Sequence, residues 1–341
     1  MKSTRPENDV TCTQHTLAVT LSPTDPTVYH VVGFLCSQGS PQGKTLQFVV
    51  PGATYDHNYW DWPLEPEKYS YVRKATDAGY AIFNIDRIGT GLSDHPNDAL
   101  VTLQSNTFVV HQLVQDLRHG VIGNTSFSKI ILVGHSLGSA ISVFEAYTYS
   151  DVDGVILTGF LHQVNPAAPP IYAADIYPAS QDPKFANSGY SAGYITTVPR
   201  KRGELFYNLP GADLAAIALD ETLKQTQTSE ELTTTFDAFA PTISQQIHVP
   251  VFLAVGQNDL FVCGTDLSCE DSSAILSREA LDWGPQACLE AFVLPNAGHS
   301  INLHLNAHDW FVAANRWADR RIGSSVNHPP TNRASRPGEE A

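Results

Sequence analysis

Between Lys129 and Tyr147 an almost unbroken apolar run, KIILVGHSLGSAISVFEAY, is interrupted by Gly134-His135-Ser136-Leu137-Gly138. Glycines two residues before and two after a serine fit a turn too tight for neighbouring side chains, one that holds Ser136 out where it can react. A serine hydroxyl is too weakly acidic to attack a carbonyl unaided, so a nucleophilic Ser136 requires a histidine base and a carboxylate to orient that base. Two later segments supply them, each just beyond an apolar run: PVFLAVGQNDLF carries Asp259 and LEAFVLPNAGHS carries His299. With a helix starting at Leu137, the Leu137 backbone N–H lies at the positive helix end and is placed to receive an oxyanion. His135 is expected to pack or hydrogen-bond inside the turn, because the turn directs it away from Ser136.

These residues need strands that end beside one another. Short β-rich runs recur at TLQFVV (45–50), YAIFNID (80–86), KIILVG (129–134), GVILTG (154–159), PVFLAVG (250–256) and LEAFVL (289–294). Between the earlier ones, PEKYSYVRKATDAG, NTFVVHQLVQDLRHGV and SAISVFEAYTYS carry apolar residues at three-to-four spacing and read as amphipathic helices. That alternation is the pattern of a largely parallel sheet with crossover helices. Two earlier runs, at 15–21 and 29–35, read as an antiparallel hairpin added to the sheet edge. From 161 to 240 no core strand is evident. Two helices are expected there, GADLAAIALDETLKQ and SEELTTTFDAFAP, in a small, mainly helical insertion.

With GHSLG, GQNDLF and PNAGHS in place, the chain resembles the α/β-hydrolase superfamily over roughly residues 28–320. The order Ser136, Asp259, His299 is the one that arrangement uses. The resemblance implies an α/β fold with a mostly parallel eight-stranded sheet flanked by helices and a helical lid. It divides the chain into an N-terminal core part with its hairpin (1–160), a lid or cap insertion (161–240), a C-terminal core part (241–321) and a tail expected to be disordered (322–341). It also implies a second oxyanion donor from the loop after the third strand. Here that loop reads Val50-Pro51-Gly52-Ala53-Thr54-Tyr55-Asp56, with proline where a histidine often stands, and the Ala53 N–H is the candidate. IDRIGTGLSDHP (85–96) resembles the loop after the fourth strand, in which Asp86 and Arg87 are expected to form a structural ion pair. The aromatic stretch DHNYWDWPLEPEKYSY (56–71) is read either as a pocket wall or as core. Tyr172, Tyr177, Tyr190, Tyr194 and Tyr207 are read either as cavity lining or as lid core.

Composition narrows the partners. Acidic residues outnumber basic ones 35 to 20, for a net charge of −15, and no basic run offers a phosphate-binding stripe, so nucleic acid is not an expected partner. No apolar stretch approaches the roughly 20 residues that span a bilayer, and the N-terminus lacks the apolar region of a secretory signal. The chain as written is therefore expected to be soluble and cytoplasmic. The five cysteines qualify this: Cys12 and Cys36 flank the hairpin runs and are either disulfide-bonded, which would point to an oxidising compartment and possible secretion, or buried and free. No metal or organic cofactor is expected; His304 and His308 have helical ligand spacing but no evident third ligand.

The expectation that follows is a serine hydrolase acting on an ester, lactone or thioester of a bulky, largely apolar small molecule through an acyl-enzyme. Two alternatives stay open: the same triad used for carbon–carbon cleavage, acyl transfer or product release and cyclisation, and a non-catalytic binding protein on a hydrolase fold.

Overall fold

The computed structural model describes residues 9–325. The strands run in chain order as β1 (Val10–Ser22), β2 (Asp25–Gln38), β3 (Leu46–Val50), β4 (Ala81–Ile85), β5 (Ile130–His135), β6 (Gly154–Thr158), β7 (Ile176–Pro178), β8 (Tyr194–Thr197), β9 (Gln227–Thr228), β10 (Val251–Gly256) and β11 (Glu290–Leu294). Eight of them form one sheet in the order β1-β2-β4-β3-β5-β6-β10-β11. Only the β1–β2 and β2–β4 pairings are antiparallel; the rest of the sheet is parallel.

Every residue of β3, β4, β5, β6 and β10 is buried, as expected for parallel strands covered on both faces. Alternate residues feed two different cores. Phe48, Leu132 and Leu253 pack on one face with Leu113, Leu117 and Ile141, from the helices Leu103–His119 and Leu137–Tyr149. Val49, Ile131, Val133 and Ala254 pack on the other with Tyr71, Trp310, Phe311 and Trp317, the last three from the C-terminal helix Ala307–Arg321. Local signals set the helix ends. Thr102 and Ser105 form a reciprocal capping box at the start of Leu103–His119, and Gly120 ends it in the left-handed region at φ 76°.

Two features differ from the sequence reading. The segment between β6 and β10 contains short helices but also an antiparallel sheet, β7-β8-β9. Its strands are two to four residues long, too short for a period-two pattern to register. Residues 322–325, expected to open a disordered tail, instead lie against the start of β3: the Thr45 N–H donates to the Ser324 carbonyl at 3.0 Å, and Lys44 bridges Ser325. The remainder of the proposed tail, 326–341, lies outside the described residues.

Cys12 and Cys36 face one another across the hairpin and are disulfide-bonded. A second disulfide, Cys263–Cys269, has no counterpart in the sequence reading; Cys288 is free and exposed. Thiol titration of the denatured, unreduced protein is therefore expected to give one thiol per chain and, after reduction, five. Five before reduction would show that neither bridge forms.

Glu145, on the helix Leu137–Tyr149, is fully buried with neither carboxyl oxygen hydrogen-bonded. Burial, reinforced by the Asp151 carboxylate, pushes its pKa well above the usual range. Because the folded state raises this pKa, the favourable neutral form contributes fully below the ordinary glutamate value. That contribution is lost as pH rises above it. Glu145→Gln is thus expected to raise the thermal midpoint at pH 8 by about 1–3 °C, with a smaller gap at pH 5. A gap that does not grow with pH would contradict a protonated, buried Glu145.

Candidate active site

Ser136 stands between the end of β5 and the helix that begins at Leu137, with φ 54° and ψ −117°, a conformation a non-glycine residue adopts only under constraint. Close backbone approach supplies that constraint. A Cβ on Gly138 would collide with the Val50 carbonyl oxygen, and one on Gly134 with the Gly138 carbonyl. The Ser136 N–H donates to the Thr158 carbonyl at 2.8 Å, which ties the turn to the neighbouring strand β6.

The other two candidates arrive from adjacent strand ends. Asp259 follows β10 and His299 follows β11; both side chains are buried. His299 Nδ1 lies 2.9 Å from Asp259 Oδ2, while Asp259 Oδ1 accepts the Phe261 N–H at 2.9 Å. An Nδ1–H donated to the carboxylate leaves Nε2 with the lone pair a base needs. Here too glycine sets the approach: a Cβ on Gly256 would overlap the Gly298 carbonyl, and one on Gly159 would lie 2.8 Å from His299 Cε1.

His304, weighed in the sequence only as a metal ligand or a bland histidine, clamps the His299 loop. Its Nε2 accepts N–H groups from Gly298 at 2.9 Å and Asn208 at 3.1 Å, and its Nδ1 donates to the Ser300 carbonyl at 3.0 Å. Burial pushes its pKa down to about 4, so the ring is neutral and both nitrogens keep these roles. His135 is likewise buried. The Thr158 hydroxyl donates to Gly134 O at 3.1 Å, so His135 Nδ1 donates to Thr158 Oγ1 at 3.0 Å, and the ring stacks on Tyr59. Burial first, and the neighbouring His299 second, hold its pKa well below the usual value. A neutral His135 leaves room for positive charge on His299.

Ala53, Ser136, Leu137 and His299 line one cavity, with Gly52 packed so that an added Cβ would lie 3.2 Å from the Ser136 Cβ. Arg87 holds this loop, and not through the ion pair with Asp86 that the sequence led us to expect. Arg87 pairs not with Asp86 but with buried Glu231, and Asp86 instead takes His57 Nδ1 at 2.7 Å and the Leu92 N–H at 2.8 Å. Arg87 Nε donates to the Pro51 carbonyl at 3.0 Å and Nη2 to the Gly52 carbonyl at 3.2 Å. In a trans peptide the C=O and the following N–H point in opposite directions, so drawing Gly52 C=O toward Arg87 turns the Ala53 N–H away from it. Thr54, at φ 59°, is held from the segment between β6 and β10: Arg202 Nη1 donates to its hydroxyl at 2.9 Å and the Gln225 N–H to its carbonyl at 2.9 Å. Arg202 is fully buried over the Tyr55 ring and pairs with Asp220 at 2.8 Å; Asp220 also accepts from the Tyr55 and Tyr207 hydroxyls.

The cavity measures about 330 Å³ and its walls are chiefly apolar, with Leu232, Phe236, Phe239, Phe206, Phe261 and Val262 prominent. Of the five tyrosines singled out above, Tyr172 alone lines it; Tyr190 and Tyr194 pack on His95, and Tyr177 bonds Asp182. Trp60, Trp62, Tyr69 and Tyr71 from the aromatic stretch are core.

A model of the alpha/beta hydrolase family matches residues 48–314. The chain belongs to that family. Similar solved structures agree on the fold at low identity. A thermophilic esterase from Thermogutta terrifontis is 16% identical with a TM-score of 0.60, covering 91% of this hydrolase-family chain and 100% of its own. A soluble variant of monoglyceride lipase from Saccharomyces cerevisiae is 16% identical with a TM-score of 0.59, covering 91% and 97%. A putative aryl esterase from Burkholderia cenocepacia is 16% identical, also at 0.59, covering 90% and 99%. No curated protein sequence matches this family member.

Arg87→Lys keeps the charge beside Glu231 but cannot hold two carbonyls with one rigid fork. The variant is expected to show a lower thermal midpoint, because buried carbonyls lose a donor, and, measured on folded protein well below that midpoint, to lose about tenfold or more in kcat on a p-nitrophenyl ester if the Ala53 N–H it orients acts in the transition state. An unchanged kcat would remove the orienting role assigned to Arg87.

Proposed function

We propose that the protein is a serine hydrolase that cleaves an ester, lactone or thioester of a largely apolar small molecule through an acyl-enzyme. Ser136 attacks the carbonyl, His299 takes its proton and returns it to the leaving group, and Asp259 fixes the imidazole tautomer and offsets its charge. The Leu137 and Ala53 N–H groups hold the tetrahedral oxyanion, each lowering the barrier by about 3 kcal/mol. Water then releases the acid.

The observation that carries this reading is the buried His299–Asp259 hydrogen bond of 2.9 Å, in a cavity that also holds a serine in a strained turn. A binding protein on this fold would not need a base oriented by a buried carboxylate. The family match and the esterases and lipases among the similar structures favour the same chemistry. A cavity of about 330 Å³ with apolar walls lies at the small end for a ligand site, so it narrows the expected bulky apolar molecule to one with a compact acyl or aryl group. The insertion supplies much of that wall and acts as the lid. Two disulfides favour an oxidising compartment, and no helix among the described residues is long and apolar enough to cross a membrane.

A panel of p-nitrophenyl esters of increasing acyl length tests the reaction. Hydrolysis is expected for short and medium chains, with Ser136→Ala inactive and Asp259→Asn lowered in kcat by about three to four orders of magnitude. Asp259→Asn with near wild-type kcat would overturn the assignment of the acid.

A further inference from the structure

The cavity beside Ser136 is apolar on most sides, yet three buried polar atoms of its lining residues have no partner: His135 Nε2, on the ring that stacks on Tyr59, and two atoms on the opposite chain segment between β6 and β10. Tyr172 Oη and Gln227 Nε2 are buried and make no hydrogen bond. Glu231 at the wall is satisfied by Arg87, Asn106 and Thr228, and Tyr55 by Asp220 and Ser300. A buried donor left unpaired costs on the order of 1–3 kcal/mol, and here two stand together in a site that must admit a ligand.

Tyr172 comes from the helix Ala168–Ala174 and Gln227 from β9, so separate parts of the insertion bring these groups to one wall. Burial raises the Tyr172 pKa, opposed by Arg202 and by the adjacent Gln227 amide, and the hydroxyl keeps its proton. It is therefore a donor, as is the amide nitrogen. Rotating the Gln227 amide would give the Tyr172 hydroxyl an acceptor. Whether the Gln227 Nε2–H donates to the Tyr172 hydroxyl oxygen or the rotated Oε1 accepts from that hydroxyl, one of the two groups keeps a donor for a ligand.

The complementary ligand atom is an acceptor, and its charge is constrained. The cavity lining contains Glu231 but no lysine or arginine, and the nearby Arg202 is already paired with Asp220, so a ligand carboxylate would be desolvated beside Glu231 without a free counter-ion. We propose that Tyr172 and Gln227 form a polar subsite for a neutral hydrogen-bond acceptor, such as a ketone or second ester carbonyl, set apart from the scissile carbonyl. The preferred substrate is then an oxygenated ester rather than a plain alkyl one. This rests on the reading of Ser136 as nucleophile and names the substrate class for that site.

Paired substrates test it. In the acyl arm, p-nitrophenyl pentanoate, hexanoate and heptanoate are compared with their 4-oxo, 5-oxo and 6-oxo counterparts. In the alcohol arm, 4-butylphenyl butyrate is compared with 4-(3-oxobutyl)phenyl butyrate. One oxo position in one arm is expected to exceed its methylene analogue in kcat/KM by about tenfold or more, since a site built to bond an oxygen discriminates against its absence. That ratio is expected to fall toward one in Tyr172→Phe and in Gln227→Leu. Taken within each variant, the ratio cancels any general loss of activity or of folded protein. Ratios near one throughout the wild type, or a ratio that survives in both variants, would overturn the subsite while leaving the hydrolase reading intact. Failure to cleave any ester, together with resistance to a fluorophosphonate, would remove both.

Discussion

The site depends on how closely backbone can approach backbone where β5 ends. Ser136 can hold φ 54° only because the chain on either side is pinned: Gly138 lies against the Val50 carbonyl, Gly134 against Gly138, and Gly52 against the serine itself. Each contact removes a direction in which the turn would relax. The same close approach recurs at Gly159 and Gly256, which bring the His299 loop against the ends of β6 and β10, and at Gly298, which brings it against the backbone of Phe206, Tyr207 and Asn208. Three strand ends thereby bring Ser136, Asp259 and His299 close to one another.

Around this frame lies a shell of buried polar contacts whose value is orientation more than stability. Buried ion pairs such as Arg87–Glu231 and Arg202–Asp220 recover little net energy after desolvation. What they do here is fix carbonyls and hydroxyls of the Pro51–Tyr55 loop, and with them the direction of the Ala53 N–H. Arg202, Asp220, Gln225 and Glu231 all belong to the segment between β6 and β10. That segment therefore both walls the cavity and holds the Pro51–Tyr55 loop in shape.

Most of the sheet was legible because its strands are continuous apolar runs bounded by turn residues. The run at 250–256, for instance, becomes β10 at Val251–Gly256. Ser136, Asp259 and His299 were legible because each follows such a run, so strand order alone brings them near one another. Arg87, Arg202 and His304 were not, since their roles rest on partners as distant in sequence as Arg87 and Glu231. A local reading paired Arg87 with its neighbour Asp86, the nearest charge in sequence. In the fold, Asp86 is occupied by His57 and the Leu92 N–H. The β7-β8-β9 sheet escaped for a different reason: pairing among such short strands is decided by the surrounding fold, not by their own pattern.

The central claim is that the strained turn presents Ser136 as an activated nucleophile, and covalent labelling tests it without any knowledge of the substrate. Folded protein treated with a fluorophosphonate is expected to take up one phosphonyl group per chain, mapped to the peptide containing Ser136, with no uptake by Ser136→Ala and much slower uptake by His299→Ala. Folded wild-type protein that remains unlabelled, or labelling that maps to another residue, would contradict the account.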